Sequence, residues 1–305
     1  MNQLIELNGV SVRYGSFLAL DNITLEIPGG AIGLLGPNGA GKSTLIRTLL
    51  GFNRASTGTV RVFDYDMPQC AIQVRQRLGY MPEREVNSPK ISAVSFLNFL
   101  GRLAGMSQVD AMERSHETLN YVGLGEARYR KMETYSTGML QRVKLAQAII
   151  HDPKLLLLDE PTNGLDPRGR IEILDLIKEI STQHNVSVLL SSHLLPDVQH
   201  VCDRVIVLHQ AKVVGDMQMR ELTAPREGYY EVRVRDDSTA YQSALAEHGL
   251  EYLSHKDNIL HVHLNNGNSP RVLFEIALKT NTQIRHLAPV RGDLAEAFMK
   301  SISGS

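Results

Sequence analysis

The 305-residue chain is 43% hydrophobic and 21% charged, and its 32 basic and 33 acidic residues leave a formal net charge of −1. That balance excludes a global electrostatic pull toward nucleic acid or anionic lipid. No run approaches the roughly 18 consecutive apolar residues of a membrane-spanning helix, so any membrane work requires another chain.

The opening "MNQLIELNGV" has an early acidic residue and no apolar signal core, and predicts no secretion. The first sixty residues read as short β-rich pieces, "QLIELNG" and "NITLEI". A Pro-Gly-Gly turn at 28–30 follows, then "AIGLLG", a buried-strand pattern ending on a glycine loop. "KSTLIRTLLG" reads as a helix stopped by Gly51. From about 68 to 150 helical periodicity dominates, placing Leu97, Leu100, Leu103 and Ala104 on one apolar face.

Strands and helices then alternate: "KLLLLDE", a helix over roughly 168–183, "VSVLLSS", a helix at 194–202, "RVIVLH" and "KVVGD". Such alternation predicts a parallel sheet wrapped by helices. The predicted hairpin turn in "HQAKVVGD" lacks a glycine. Around "ELTAPREG" the pattern restarts, with Pro225 and Gly228 marking a linker. The remaining segments, "YYEVRVR", "TAYQSALAEHG", "EYLSH", "ILHVHL", "SPRVLFEIALKTN" and "TQIRHLA", run β-α-β-β-α-β, a ferredoxin-like order. The tail histidines His248, His255, His261, His263 and His286 have no metal-ligand spacing. Cys70 and Cys202 stand apart from any CxxC or Cys/His pattern and read as reduced cytosolic thiols ahead of a disulfide.

"GPNGAGKST" fits G-x-x-x-x-G-K-[ST] between a predicted strand and a predicted helix. In Gly36, Pro37, Asn38, Gly39, Ala40 and Gly41 the glycines let backbone N–H groups point at phosphate oxygens. Lys42 supplies charge to the β- and γ-phosphates of a nucleotide, Ser43 a hydroxyl for Mg²⁺, and Thr44 continues the loop into the helix. "KLLLLDEP" brings Asp159 and Glu160 to a strand end. Because side chains alternate along a strand, the two carboxylates take different tasks. Asp159 is the candidate for holding Mg²⁺ through water, and Glu160 the base that orients or deprotonates the attacking water. A second anion-type helix start, "YSTGMLQRVKLAQAII" at 135–150, lies almost a hundred residues after "GPNGAGKST".

In this order the motifs resemble the nucleotide-binding subunit of an ABC transporter over residues 1 to about 220. The resemblance implies an α/β P-loop NTPase fold over 1–222, with a RecA-like core, an antiparallel β subdomain and a helical subdomain at about 85–150. A small α+β ferredoxin-like domain over 226–305 would follow. It further implies adenine stacking on Tyr14, a metal- and nucleotide-sensing loop at Glu83, and a signature turn carrying Ser136 and Gly138. Asp166 falls in the D-loop and His193 at the switch contacting the γ-phosphate. Two copies would face head to tail, each Ser136–Gly138 turn closing on the other copy's ATP, with a heterodimer as the alternative.

A membrane permease would hold the chain peripherally on the cytoplasmic face of the membrane, without direct insertion and with no nucleic-acid partner. The helix after Glu83 would line the permease groove. Only about ninety residues separate Lys42 from Ser136, which leaves no room for the coiled coil of chromosome-organising relatives. Departures from the family pattern are Glu83 for glutamine, Thr137 for glycine and Met139 for glutamine. "GYMPE", "YSTGM" and the tail "RGDLAEAFMK" point to type-2 exporters. The competing reading is an ATP-dependent regulatory or scaffolding module with little turnover, against which Glu160 and His193 both speak.

Overall fold

The computed structural model describes residues 3–84, 90–222, 225–235, 238–255, 258–264 and 269–291. The chain divides into two compact units, the first closing at Met219 and the second opening at Arg220. Among the described residues no helix is long and apolar enough to cross a membrane.

The first unit is built on a six-stranded sheet in the order Lys212–Gln218, Arg204–His209, Ala31–Leu35, Ser187–Ser192, Leu155–Asp159, Leu78–Met81. All neighbours pair in parallel except the outermost hairpin, Arg204–His209 with Lys212–Gln218. Every residue of Ala31–Leu35 and Leu155–Asp159 is buried, as a parallel strand covered on both faces requires. An antiparallel sheet orders Phe17–Ile27, Ile5–Tyr14, Thr57–Val62 and Tyr65–Asp66. Its inner face joins the apolar cluster of Leu45, Ile46 and Leu49 from the helix Lys42–Leu49.

The helical part comprises Ala93–Leu103, Gln108–Tyr121 and Thr137–Ile149. Each is capped by a serine, Ser92, Ser107 or Ser136, whose hydroxyl accepts from the backbone N–H three residues on. Two expectations fail here. Inside the stretch expected to be helical, Leu78–Met81 is an edge strand of the main sheet, paired with Leu155–Leu158; four residues are too few for periodicity to register. The buried face of Ala93–Leu103 is Ala93, Val94, Leu97 and Gly101, while Leu103 is 69% exposed and Ala104 exposed, so the expected stripe is rotated.

The turn between His209 and Lys212 is made by Gln210 at φ 46° and Ala211 at φ 67°, a left-handed pair without glycine. Ala211 donates to the Ala40 carbonyl at 3.3 Å and accepts from Asp21 N at 2.8 Å, and these bonds offset the backbone strain.

In the second unit the sheet order is Glu251–Ser254, Ile259–His263, Pro225–Val234, Ile284–Arg291, antiparallel throughout. With the helices Thr239–Glu247 and Arg271–Lys279 the chain order is β-α-β-β-α-β, around a core of Val232, Tyr241, Leu245, Leu260, Val262, Leu273 and Ile276. The expected linker at Pro225 and Gly228 is instead the start of a strand. Pro is tolerated at a first strand residue, and the register shifts between Pro225 and Tyr230, across Gly228 at φ 79°. The tail "GDLAEAFMK" lies outside the described residues.

Candidate nucleotide site

The loop 36–41 leaves the buried strand Ala31–Leu35 and ends at Gly41, the N-cap of Lys42–Leu49, with φ 110°. Only glycine serves at both ends. A Cβ on Gly36 would stand 2.3 Å from the Leu208 carbonyl oxygen, and one on Gly41 2.7 Å from that of Ala19. The loop faces a cavity of about 300 Å³ lined by Phe17, Asn38, Lys42, Ser43, Glu83 and Glu160, with Ala19, Gly39, Gly41 and Thr44 completing it. Ala40 is buried, its N–H bonded to the Pro37 carbonyl at 3.2 Å.

Lys42 Nζ donates to the carbonyls of Gly36 at 2.7 Å and Pro37 at 3.3 Å, and lies 3.3 Å from Glu160 Oε1. Both side chains are nearly enclosed, at 6% and 7% exposure, so each charge depends on the other. Glu160 Oε2 meets His193 Nδ1 at 2.9 Å. Lys42, Glu160 and His193, up to 151 residues apart in sequence, thus form one chain of polar contacts. Among the described residues Glu160 Oε1 accepts no hydrogen bond, and its contact is the ion pair with Lys42.

Glu160 sits at φ 49°, a left-handed backbone that turns its side chain out of the strand line. Its N–H bonds Ser191 O and Ser191 Oγ, each at 3.2 Å. Ser191 Oγ in turn donates to Asp159 Oδ1 at 2.6 Å. Asp159 is 2% exposed, beside Tyr80 on the neighbouring strand, and is not among the residues lining the cavity. Burial, reinforced by the charge of Asp159, pushes the Tyr80 phenol up from 10, while Arg47 opposes through its charge and a hydrogen bond.

Glu83 lines the cavity, and its carbonyl accepts from the buried Lys144 at 3.0 Å. It also lines a second, smaller space with Thr137, Leu140, Gln141, Lys144, Asn163 and Gly164. The Ser136–Gly138 turn does not reach the Lys42 cavity. It packs on the D-loop: a Cβ on Gly138 would meet Leu165 Cδ2 at 3.7 Å, and Gln141 Nε2 donates to Asn163 O at 2.9 Å. The Ser136 hydroxyl accepts from Met139 N at 3.3 Å. Asp166 caps the helix Pro167–Gln183, accepting from Gly169 N at 3.0 Å.

Tyr14 is 45% exposed, and its hydroxyl accepts from Asn53 Nδ2 at 2.7 Å. Its cross-strand partner Phe17, 62% exposed, is the aromatic that lines the cavity. Sequence reasoning passed over Phe17, Ser191 and Lys144. The signal for Ser191 was "LLSSH", two hydroxyls directly after the apolar run of a strand.

A family model described as "ABC transporter" matches residues 20–163. The uncharacterized ABC transporter ATP-binding protein YxlF of Bacillus subtilis is 35% identical over 220 residues, 72% of each chain. The bacitracin transport ATP-binding protein BcrA of Bacillus licheniformis is 29% identical over 308 residues, 100% of this chain and 99% of its own. Among solved structures, a dimeric post-hydrolysis state of an ATP-binding cassette bound to ADP and phosphate superposes with a TM-score of 0.64. It is 23% identical and covers 71% of this chain and 99% of its own.

Proposed function

The chain belongs to the ATP-binding proteins of ABC transporters, and on that premise we propose that it binds Mg·ATP at Lys42, hydrolyses it, and so energises a membrane exporter. The observation that carries this reading is the Lys42–Glu160–His193 chain of contacts, two of whose members line the P-loop cavity. Glu160 Oε1, ion-paired with Lys42 and not engaged by His193, is the oxygen assigned to a water attacking the γ-phosphate. His193 engages Glu160 through Nδ1, which leaves Nε2 for a phosphate oxygen. Arriving phosphate competes with the Gly36 and Pro37 carbonyls for Lys42.

Mg²⁺ accompanies the nucleotide in this reading and supplies charge neutralisation of the phosphates. The hard oxygen donors Ser43 and Glu83 line the cavity and fit it, while Asp159, which does not line the cavity, would hold it through water. Among the described residues no cluster of three His, Cys, Asp or Glu forms a cage, so phosphate oxygens and water would complete the shell.

Ser136 and Gly138 stand apart from the cavity of their own chain, and their task is assigned to a second copy, whose ATP they close upon head to tail. Hydrolysis removes the shared charge and releases the pair. Ile91, Phe99 and Leu103, exposed at 41, 56 and 69%, supply an apolar surface for a permease helix. Attachment through that subunit places the chain on the cytoplasmic face of the membrane. The full-length match to a bacitracin transport protein supports an export role and a tail domain that belongs to the same branch.

The test is ATP turnover of the wild type against Glu160→Gln. The variant is expected to dimerise in ATP and to lose about 10²–10⁴-fold in kcat. Equal turnover would remove Glu160 as the base, and turnover absent from the wild type would favour the regulatory reading.

A further inference from the structure

Asp197 takes no part in the chemistry derived above, yet it is fully buried and draws three separate segments onto one carboxylate. Oδ2 accepts from Thr162 Oγ1 at 2.5 Å and from Ser192 Oγ at 3.3 Å, and Oδ1 accepts from Arg170 Nε. The Asp197 N–H bonds the Leu194 carbonyl at 3.2 Å, and Ser192 Oγ also accepts from Leu194 N at 3.0 Å, which closes the turn around His193.

The positions of those donors matter. Thr162 follows Glu160 by two residues, Ser192 immediately precedes His193, and Arg170 lies in the helix capped by Asp166 of the D-loop. A carboxylate removed from water persists only where charge and donors compensate it, and here the donors come from the segments whose mutual spacing sets the reactive pair. Glu160 also holds a left-handed backbone at φ 49°, a conformation that survives only when its surroundings over-determine it. The Thr162 anchor is one such restraint on the turn that follows Glu160.

We propose that Asp197 is a positioning residue for hydrolysis: it locks the turn after Glu160 to the turn around His193, so that the 2.9 Å Glu160–His193 contact is preformed. Asp197 is fully buried and does not line the Lys42 cavity; it acts through that pair. The proposal rests on the ATPase reading above and specifies what aligns its base.

The test uses the full chain. Asp197→Asn keeps the size of the side chain but removes its charge and turns one acceptor into a donor facing hydroxyls or guanidinium. At saturating Mg·ATP it is expected to lower kcat by about 10–100-fold, the scale of a misplaced catalytic group. KM and binding of a fluorescent ADP should stay within about threefold, since the Lys42 loop is untouched. A merely structural ion pair is separated from a positioning role by a cycle with His193→Ala. If Asp197 acts through His193, the double variant turns over within about threefold of His193→Ala alone, whereas independent losses multiply. Thr162→Val, which leaves the buried charge paired with Arg170, provides the same cycle should Asp197→Asn not fold, and Thr162→Ser should restore the wild-type rate. Wild-type kcat in Asp197→Asn, or multiplying losses in the cycle, overturns the proposal while leaving the Glu160 result standing. A wild type without turnover removes both.

Discussion

Ser191→Ala is the substitution whose cost the structure sets most directly. Ser191 and Asp159 face each other across paired strands, in register, and both are almost completely buried. The hydroxyl makes two bonds, and their losses differ. Glu160 N keeps the Ser191 carbonyl at 3.2 Å when Oγ is removed, so that donor remains satisfied. Asp159 Oδ1 loses a 2.6 Å charge-assisted bond and cannot turn to water, because only 2% of the residue is exposed. A hydrogen bond to a buried charge contributes about 1.5–3 kcal/mol, and the methyl left behind opens little cavity. The expected destabilisation is therefore about 1.5–3 kcal/mol in the nucleotide-free protein.

Native-state hydrogen exchange on peptides covering 155–159 and 187–192 reads this within the first unit alone. The same substitution loosens Asp159 as a metal-side group. Removal of an outer hydrogen-bond partner typically costs about 10–100-fold in metal affinity or activity, so the Mg²⁺ concentration for half-maximal ATPase should rise on that scale. Exchange within about 0.5 kcal/mol of wild type, together with an unchanged Mg²⁺ titration, would refute the argument that Ser191 holds Asp159.

Two further outcomes are expected. Phe17 lines the cavity and Tyr14 is tied to Asn53, so Phe17→Ala should weaken binding of a fluorescent ATP analogue by about 1–3 kcal/mol and Tyr14→Ala by less; the reverse order would restore Tyr14 as the stacking aromatic. His151 is held below its ordinary value of 6.5 by burial, partly countered by its Nε2 bond to the Leu78 carbonyl at 3.1 Å and by Asp152. The folded state thus favours the neutral ring. Its contribution is present above about pH 6.5 and is lost as pH falls through the depressed folded value. Stability followed by urea unfolding from pH 7.5 to 5 should therefore fall less steeply in His151→Gln than in the wild type; equal slopes would assign the acid sensitivity elsewhere.

Much of the fold is legible because its signals are contiguous. "AIGLLGPNGAGKST" states strand, loop and helix in fourteen residues, and the loop works through backbone conformations that only glycine adopts. The alternating segments after residue 154 and the β-α-β-β-α-β order of the tail are likewise local patterns. Where the pattern was short it misled, and where the structure compensated from a distance it gave no reason for what it showed. Leu78–Met81 is too brief to announce itself, and the Gln210–Ala211 turn does without glycine because the Ala40 and Asp21 backbones grip it.

The sequence by itself determined the chemistry on offer: a phosphate loop, a base after a buried strand, a histidine after another, and a second serine-capped helix start. Only the tertiary structure decided which groups meet. Asp159 reaches Ser191 across 32 residues and Asp197 reaches Thr162 across 35, through the pairing of parallel strands and the return of a helix. Phe17 rather than Tyr14 enters the cavity because of where the hairpin turns. A buried charge is stable only when its partners are in place, and those partners are brought together by long-range packing that no local window of sequence records.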